Sequence, residues 1–210
     1  SLQLQLQSHR VGDEMTKLTD TYNKAFFEWH RPLKEDYLRI GRYLMTTWDD
    51  QSYRSILDIG CGNGYFLEAF PSHTDRIGIE ASPHCLPEAH RDIRRRILLL
   101  DASIQFILGC QYELVICTEV GEHLPEVASD TLVNNITNHA HYMVFFSAAT
   151  PGQGGHDHLN EQPHEYWIEK FSERGFTVDE KRTKEIREFA ATTALSWIRD
   201  NAIMFTRVLC

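Results

Sequence analysis

An apolar stretch with one acid inside it runs directly into three glycines spaced two apart. Residues 55–64 read SILDIGCGNG, and Asp58 is the acid. A short run that is apolar on both faces is typical of a buried parallel strand. Glycines after it let the backbone turn tightly and approach a ligand closely. Residues 65–70 then read as a helix, so we predict a strand, turn and helix with a nucleotide-type binding crevice at the strand's carboxyl end.

The glycine spacing restricts the class of ligand. A dinucleotide fingerprint needs glycine five residues after Gly60, but Tyr65 stands there. No Gly-Lys-Ser/Thr follows, so the phosphate loop of nucleotide hydrolases is excluded. The pattern of Asp58 followed by Gly-x-Gly-x-Gly resembles motif I of the class I S-adenosylmethionine (SAM) methyltransferases, whose ligand carries no phosphate. A nicotinamide-dependent dehydrogenase is disfavoured by the same tyrosine.

Two further acids end predicted strands. Glu80 lies 20 residues after Gly60 and closes the strand 76–80, where a carboxylate can accept two hydrogen bonds from ribose hydroxyls. Asp101 follows the strand 97–100, and the resemblance implies that it accepts the adenine amino group, with the backbone of Ala102 alongside. The alternative for each acid is an ordinary solvent-facing side chain at a strand end.

The segment after the predicted fourth strand, 112–118, carries a second part of the resemblance. Residues 119–124 read EVGEHL, which is similar to a large subset of these methyltransferases. The resemblance implies that Glu119 and Val120 contact the methionine end of the cofactor. The full set of cofactor-binding residues that we expect is Asp58, Gly60, Cys61, Gly62, Gly64, Glu80, Ala81, Asp101, Ala102, Glu119 and Val120.

Histidines are the candidate catalytic residues. A glycine-rich segment of about 15 residues follows the predicted fifth strand, 142–147, and loops of that length inside a compact domain are usually functional. It carries His156 and His158, and His123 lies on the EVGEHL segment. A hydroxyl acceptor benefits from a general base, for which histidine has a suitable pKa. His123 has a structural alternative, a hydrogen bond to a backbone carbonyl of its loop.

The same glycine-rich segment offers a metal-site alternative. His156, His158, Glu161 and His164 supply nitrogen and oxygen ligands within nine residues. Their spacing matches no standard zinc pattern, and Gly154 and Gly155 would leave the ligands mobile. We therefore expect no metal here.

Composition sets the broad class. The chain has 210 residues, 42% hydrophobic and 24% charged, with a formal net charge of -9, as expected of a globular protein with a sizeable core. The longest basic tract is residues 94–96, which disfavours a nucleic-acid partner. Five cysteines without a Cys-x-x-Cys pair predict reduced thiols in the cytoplasm. No apolar run reaches the roughly 18 residues of a membrane helix.

Periodicity predicts the remaining elements. Helices are expected at 13–29, from Pro32 onwards, from Val127 onwards, from Pro163 to Gly175, and at 185–199. Strands are expected at 176–179 and 202–208. Residues 1–12 are interpreted as a flexible tail or cloning remnant, 13–50 as a helical cap and 51–210 as the core of a single domain.

These elements predict an α/β architecture. The resemblance implies a Rossmann-like methyltransferase fold: a seven-stranded, mostly parallel sheet with helices on both faces, whose last strand inserts antiparallel between the fifth and sixth. It implies a SAM-dependent methyltransferase acting on a small polar molecule, at a hydroxyl oxygen of a sugar, glycan precursor or natural product. The glycine-rich loop resembles a subgroup of small bacterial methyltransferases. The alternatives are a methyltransferase with a protein or RNA acceptor and a non-catalytic scaffold.

Overall fold

The computed structural model describes residues 21–46 and 53–208. The predicted tail, 1–12, and the part of the first predicted helix before residue 21 lie outside the described residues.

One mixed sheet forms the centre of the described chain. Its strand order is β3-β2-β1-β4-β5-β7-β6, so the order reverses between β1 and β4. β7 runs antiparallel to both β5 and β6, and the other pairings are parallel. The strands are β1 (Ser55–Ile59), β2 (Asp75–Glu80), β3 (Ile97–Leu99), β4 (Tyr112–Thr118), β5 (Ala140–Ser147), β6 (Phe176–Val178) and β7 (Ile203–Arg207). The predicted seven-stranded sheet and the position of its last strand are confirmed.

Helices cover both faces of this sheet, as predicted. They are α1 (Lys24–Trp29), α2 (Lys34–Thr46), α3 (Tyr65–Ala69), α4 (Arg91–Arg94), α5 (Ser129–His139), α6 (His164–Ser172), α7 (Glu180–Ala190) and α8 (Ser196–Asn201). Short 3-10 turns lie at Arg31–Leu33, Pro83–Cys85, Gly121–His123 and Glu126–Ala128.

Adjacent phenylalanines of β5 show how the two faces are filled, because successive side chains of a strand point to opposite faces. Phe145 packs against Phe66 of α3, with ring centroids 5.9 Å apart. Phe146 packs on the other face against Trp167 and Phe171 of α6, both at 5.2 Å. Each face therefore has its own apolar core, and the strands between them are buried on both sides.

The continuous helix predicted at 185–199 is wrong. The structure has α7 and α8 instead, separated by a turn at residues 191–195. The hydroxyls of Thr192 and Thr193 donate to the carbonyls of Phe189 and Ala190, at 2.8 and 2.7 Å. Thr193 also accepts a hydrogen bond from the N–H of Leu195 at 3.2 Å. The side chains of these threonines thus bond to backbone groups that would otherwise bond within the next helical turn, and the helix ends for this reason.

The first predicted helix is also interrupted. Asn23 has an extended backbone and accepts hydrogen bonds from the N–H groups of Ala25 and Phe26, so it caps a new helix, α1. The second predicted helix begins as expected, with Pro32 in the short turn that leads into α2.

Four cysteines lie in the described chain, and all are free thiols: Cys61, Cys85, Cys110 and Cys117. None of the helices in residues 21–46 and 53–208 combines the length and the apolar character that crossing a membrane requires.

Candidate functional site

A cavity of about 710 Å³ opens at the carboxyl ends of the strands, at the point between β1 and β4 where the strand order reverses. Open α/β sheets bind their ligands at this topological switch point. The cavity is walled by the turns after β1, β2 and β4, by α1, and by residues 153–158 of the glycine-rich loop.

The predicted cofactor residues line this cavity with one exception. Gly64 is not part of the lining. It begins α3 in the left-handed region, with φ 69°, and a Cβ there would lie 2.5 Å from Cγ2 of Ile93. Close packing against α4 therefore accounts for this glycine. The three predicted catalytic histidines, His123, His156 and His158, all reach the cavity.

The first glycine of the turn is required by its own geometry. Gly60 has φ 74°, and a Cβ there would lie 2.2 Å from Cγ2 of Val120. The turn after β1 and the turn after β4 are thus in direct contact. Gly62 differs, because it has φ 50° but a Cβ there would meet nothing within 4 Å. Its backbone faces open space in the cavity.

Glu80 shapes the glycine turn. Its carboxylate accepts the N–H of Gly62 and the N–H of Ser82, both at 3.0 Å. Burial raises the pKa of Glu80, while the N–H groups of Ser82, Gly62 and Ala81 oppose the rise. Each carboxylate oxygen has two lone pairs, so the second one remains available to a ligand hydroxyl in the cavity.

Asp58 lies at the floor of the cavity and is 1% exposed. Its Oδ2 has no hydrogen-bond partner among the described residues. Burial, and then the nearby Glu80, raise the pKa of Asp58 well above its usual value. An orphaned buried carboxylate oxygen of this kind is a site for a donor group from a ligand or water.

The adenine side of the predicted site is held by an asparagine that the sequence patterns did not single out. Asn135 of α5 is fully buried, and its Nδ2 donates to the carbonyls of Ala102 and Ile104 at 3.0 and 2.9 Å. Its Oδ1 accepts the N–H of Phe106 at 3.2 Å. Asp101 adds a local bond, accepting the N–H of Ser103 at 2.8 Å. The sequence carries one signal for this residue: Asn135 lies on the apolar face of a predicted helix, where a buried amide needs polar partners.

We expect Asn135→Ala to lower the free energy of unfolding by about 3 kcal/mol, because it leaves three backbone groups without partners. Donor binding should weaken as well, since Ala102 loses its anchor. Urea unfolding and calorimetric titration with S-adenosylhomocysteine (SAH) measure the two effects. The control is Asn138→Ala, an exposed asparagine of the same helix. Equal effects of the two substitutions would contradict the anchoring role.

Glu119 and Asn201 connect the turn after β4 with the glycine-rich loop. Glu119 lies in the left-handed region, with φ 52°, which is uncommon for a residue other than glycine. Nδ2 of Asn201 donates to Glu119 Oε1 at 3.2 Å and to Gln153 Oε1 at 2.9 Å. Asn201 thus bridges Glu119 of the turn and Gln153 of the loop.

Glu122 is the most unusual acid in the cavity wall. It is 0% exposed, and neither carboxylate oxygen has a hydrogen-bond partner among the described residues. Burial and the neighbouring Glu119 raise its pKa well above the usual value, although the N–H groups of Glu122 and Ala149 are near enough to oppose this. Its carbonyl accepts the N–H groups of Leu159 and Asn160 at 2.7 and 3.0 Å. The sequence patterns assigned this residue no role.

His158 is oriented by a carboxylate. Its Nδ1 lies 2.8 Å from Oε1 of Glu161, which also accepts the N–H groups of Gly152 and Gly154, both at 2.7 Å. These bonds, that of His158 foremost, lower the pKa of Glu161. A carboxylate only accepts, so Nδ1 of His158 is the protonated nitrogen and Nε2 is left as an acceptor.

His123 lies beside His158, with ring centroids 5.0 Å apart. Burial, and then His158, lower the pKa of His123 to about 4, so the ring is neutral at physiological pH. Its Nδ1 lies 3.4 Å from the carbonyl oxygen of Asp157, which is the structural bond considered for it. His156 is exposed and lies near Phe26, with ring centroids 6.1 Å apart.

The metal-ligand set considered from the sequence does not form one cluster. His158 contacts Glu161, but His164 begins α6 and is not part of the cavity lining. In the part of the chain that the structure describes, the residues within metal-binding reach of one another are Glu122, His123 and His158.

The cavity lining also contains aromatic and acidic side chains. Tyr22, Phe26, Trp29 and Trp197 form an aromatic wall near the histidines. Tyr22 packs edge-on against His123, with centroids 5.5 Å apart. Five carboxylate side chains reach the cavity, and among the described residues no lysine or arginine does. The acids are Asp58, Glu80, Asp101, Glu119 and Glu122.

Residues 29–181, most of the chain, match the model of a methyltransferase domain family. The chain belongs to this family. A curated relative, an uncharacterized methyltransferase of Mycobacteroides abscessus, is 38% identical over 80 residues, which are 35% of this chain and 31% of the relative. The predicted family and enzyme class are thereby confirmed.

Solved methyltransferase structures share the fold at low sequence identity. Magnesium protoporphyrin IX methyltransferase from Synechocystis, with bound SAH, has a TM-score of 0.67 at 14% identity and covers 92% of this chain and 99% of its own. The sugar N-methyltransferase KedS8 from Streptoalloteichus has a TM-score of 0.65 at 15% identity, and the match covers 89% of this chain and 93% of KedS8. An O-methyltransferase from Brevibacillus brevis, in complex with SAH, has a TM-score of 0.55 at 14% identity, and the match covers 86% of this chain and 77% of that enzyme.

Proposed function

We propose that this enzyme transfers a methyl group from SAM to a hydroxyl oxygen of a small polar molecule. The observation that carries the proposal is one continuous cavity. The glycine turn and the strand-end acids line one side, and the histidines His123, His156 and His158 line the other. Its volume of about 710 Å³ lies in the range of ligand pockets, roughly 300–1,000 Å³.

The donor half follows from the strand ends. The free lone pairs of Glu80 suit the ribose hydroxyls, Asp101 and the backbone of Ala102 suit the adenine, and Glu119 suits the amino group of the methionine part. Asp58, with its orphaned Oδ2, and the open backbone of Gly62 complete this side. The lack of lysine and arginine in the described lining suits a ligand without phosphate.

The acceptor half is defined by charge and by aromatic side chains. A phosphorylated acceptor, or an RNA backbone, needs cationic side chains. The described lining has five carboxylates and no such cation, which favours an uncharged hydroxylated acceptor. The aromatic wall offers flat apolar surface to a sugar ring or to the rings of a natural product.

The transfer itself is an in-line displacement. The acceptor oxygen attacks the methyl carbon, the carbon–sulfur bond breaks, and its electron pair stays on sulfur, which becomes the neutral thioether of SAH. The hydroxyl proton leaves to a base. His156, His158 and His123 are the groups that we assign to handling this proton, and alignment of the two substrates contributes several kcal/mol.

The enzyme's free thiols support a further proposal, that it works in the cytoplasm, since reduced cysteines are typical of that compartment.

We expect calorimetric titration to show one SAH bound per chain, and a screen of hydroxylated sugars and metabolites to yield SAH release with at least one acceptor. Phosphorylated counterparts of a successful acceptor should be poorer substrates. Mass spectrometry of the product identifies the methylated atom, and amino-sugar acceptors test the N-methylation alternative. Absence of SAH binding at millimolar concentration would remove both the enzymatic proposals and support the scaffold alternative.

A further inference from the structure

Three side chains with metal-binding atoms meet in the cavity wall between the turn after β4 and the glycine-rich loop. One ligand atom of each of Glu122, His123 and His158 lies within 4.8 Å of those of the other two. All three residues line the cavity next to the aromatic wall. Glu122 and His123 are adjacent in the turn, and His158 reaches them from the loop.

Both imidazoles are already arranged as ligands. A metal-binding histidine usually gives its other ring nitrogen to a carboxylate or a backbone carbonyl. Nδ1 of His158 is paired with Glu161 at 2.8 Å, and Nδ1 of His123 lies 3.4 Å from the carbonyl oxygen of Asp157. In each ring this leaves Nε2 as the free lone pair.

The carboxylate of Glu122 supplies an independent observation. It is fully buried, and neither oxygen has a hydrogen-bond partner in the described chain. Burying a charge or a polar group without a partner is costly, unless it is paired or coordinates a metal. The lining that the structure describes provides no lysine or arginine to serve as that partner.

We propose that Glu122, His123 and His158 bind a divalent transition-metal ion. Two imidazoles and one carboxylate are a common donor set for Zn²⁺ and related ions, and open positions remain for water or substrate. Tetrahedral ligands with bonds of about 2.1 Å lie roughly 3.4 Å apart, so small torsional movements of the side chains close the site. Glu161 and the carbonyl of Asp157 act as outer-shell partners.

The ion would sit beside the acceptor and bind its hydroxyl oxygen. A bound cation lowers the pKa of a coordinated hydroxyl, so the proton leaves more readily. Because His123 and His158 would then hold the ion, His156 is the one of the three assigned histidines that remains to accept the proton. This activating role rests on the proposed function, whereas binding of the ion does not.

The test uses the chelator-treated 210-residue chain, titrated with Zn²⁺ by calorimetry and with Co²⁺ by visible absorption. We expect one ion per chain and a Co²⁺ spectrum of a site with nitrogen and oxygen ligands. Glu122→Gln and His158→Ala should each weaken binding by at least about a hundredfold. Glu161→Gln should weaken it by roughly 10–100-fold, as is usual for outer-shell partners. His164→Ala is the control and should bind like wild type.

SAH titration of every variant shows that the donor side is still folded. Wild-type protein that binds neither ion below millimolar concentration would overturn the site, as would equal affinity in wild type, Glu122→Gln and His158→Ala. A transfer rate unchanged by removal of the ion would overturn the activating role alone. Because SAH binding is measured separately, failure of the metal site is distinguishable from failure of the proposed donor site.

Discussion

Glu80→Gln is expected to weaken SAH binding by about a hundredfold or more while leaving the chain folded. The carboxylate holds the N–H groups of Gly62 and Ser82, both at 3.0 Å. Glutamine must turn its NH₂ toward one of these donors, so that the glycine turn loses an acceptor. The proposed charge-assisted bonds to the ribose, each about 1.5–3 kcal/mol, are lost or weakened too.

The stability of the variant separates this role from a structural one. Burial raises the pKa of Glu80, which means that folding destabilises its anion relative to the unfolded chain. Removing the charge relieves that cost, which offsets the weaker bonds to the backbone. The free energy of unfolding, measured in urea, should therefore change by no more than about 1 kcal/mol. Glu126→Gln, at an exposed glutamate outside the cavity, is the matched control. A change in SAH affinity below about threefold would rule out the proposed ribose contact.

Gly60→Ala is expected to lower the free energy of unfolding by about 3 kcal/mol. The left-handed conformation, φ 74°, costs a residue with a Cβ roughly 1–2 kcal/mol. The new Cβ would also lie 2.2 Å from Cγ2 of Val120, and such overpacking adds about 1–3 kcal/mol. Urea unfolding with an unchanged m-value measures the loss.

Gly62→Ala provides the comparison for this prediction, because it has a similar φ, 50°, and no neighbour within 4 Å of its Cβ position. It should show the conformational cost alone, about 1–2 kcal/mol. The double substitution Gly60→Ala/Val120→Ala should be less destabilising than the sum of its parts, since the overlap is removed. Equal effects of Gly60→Ala and Gly62→Ala would show that contact with Val120 does not matter.

The core of the fold was predictable because its signals are local. Periodicity located the strands to within a few residues, and Glu80 was identified by its distance from Gly60 along the chain. The resemblance supplied the position of the last strand, antiparallel between the fifth and sixth, which periodicity alone does not contain. The break at Thr192 and Thr193 was missed because apolar spacing continued through it. That helix ends where the hydroxyls and the backbone N–H groups of Thr192 and Thr193 bond to the carbonyls of Phe189 and Ala190.

The candidate site was less predictable where distant segments meet. Gly64 shares the spacing of Gly60, yet it packs against Ile93 of another helix. Asn135 anchors a loop more than 30 positions earlier in the chain. The carboxylate of Glu122 lacks a hydrogen-bond partner because the tertiary structure buries it among groups that do not bond to it. Each of these features depends on which residues the tertiary structure brings together, and no spacing pattern records that.

The carboxylate of Glu161 holds the glycine-rich loop together, because it accepts hydrogen bonds from the N–H groups of Gly152 and Gly154 and from the ring of His158. The carbonyl of Glu122 and the side chain of Asn201, which donates to Gln153, join this loop to the rest of the domain. Its exposed part, residues 151–157, contributes little to either apolar core. Side chains there can therefore be exchanged at small cost in stability, and we propose that the choice of acceptor can change through this segment while the strand-end acids stay the same.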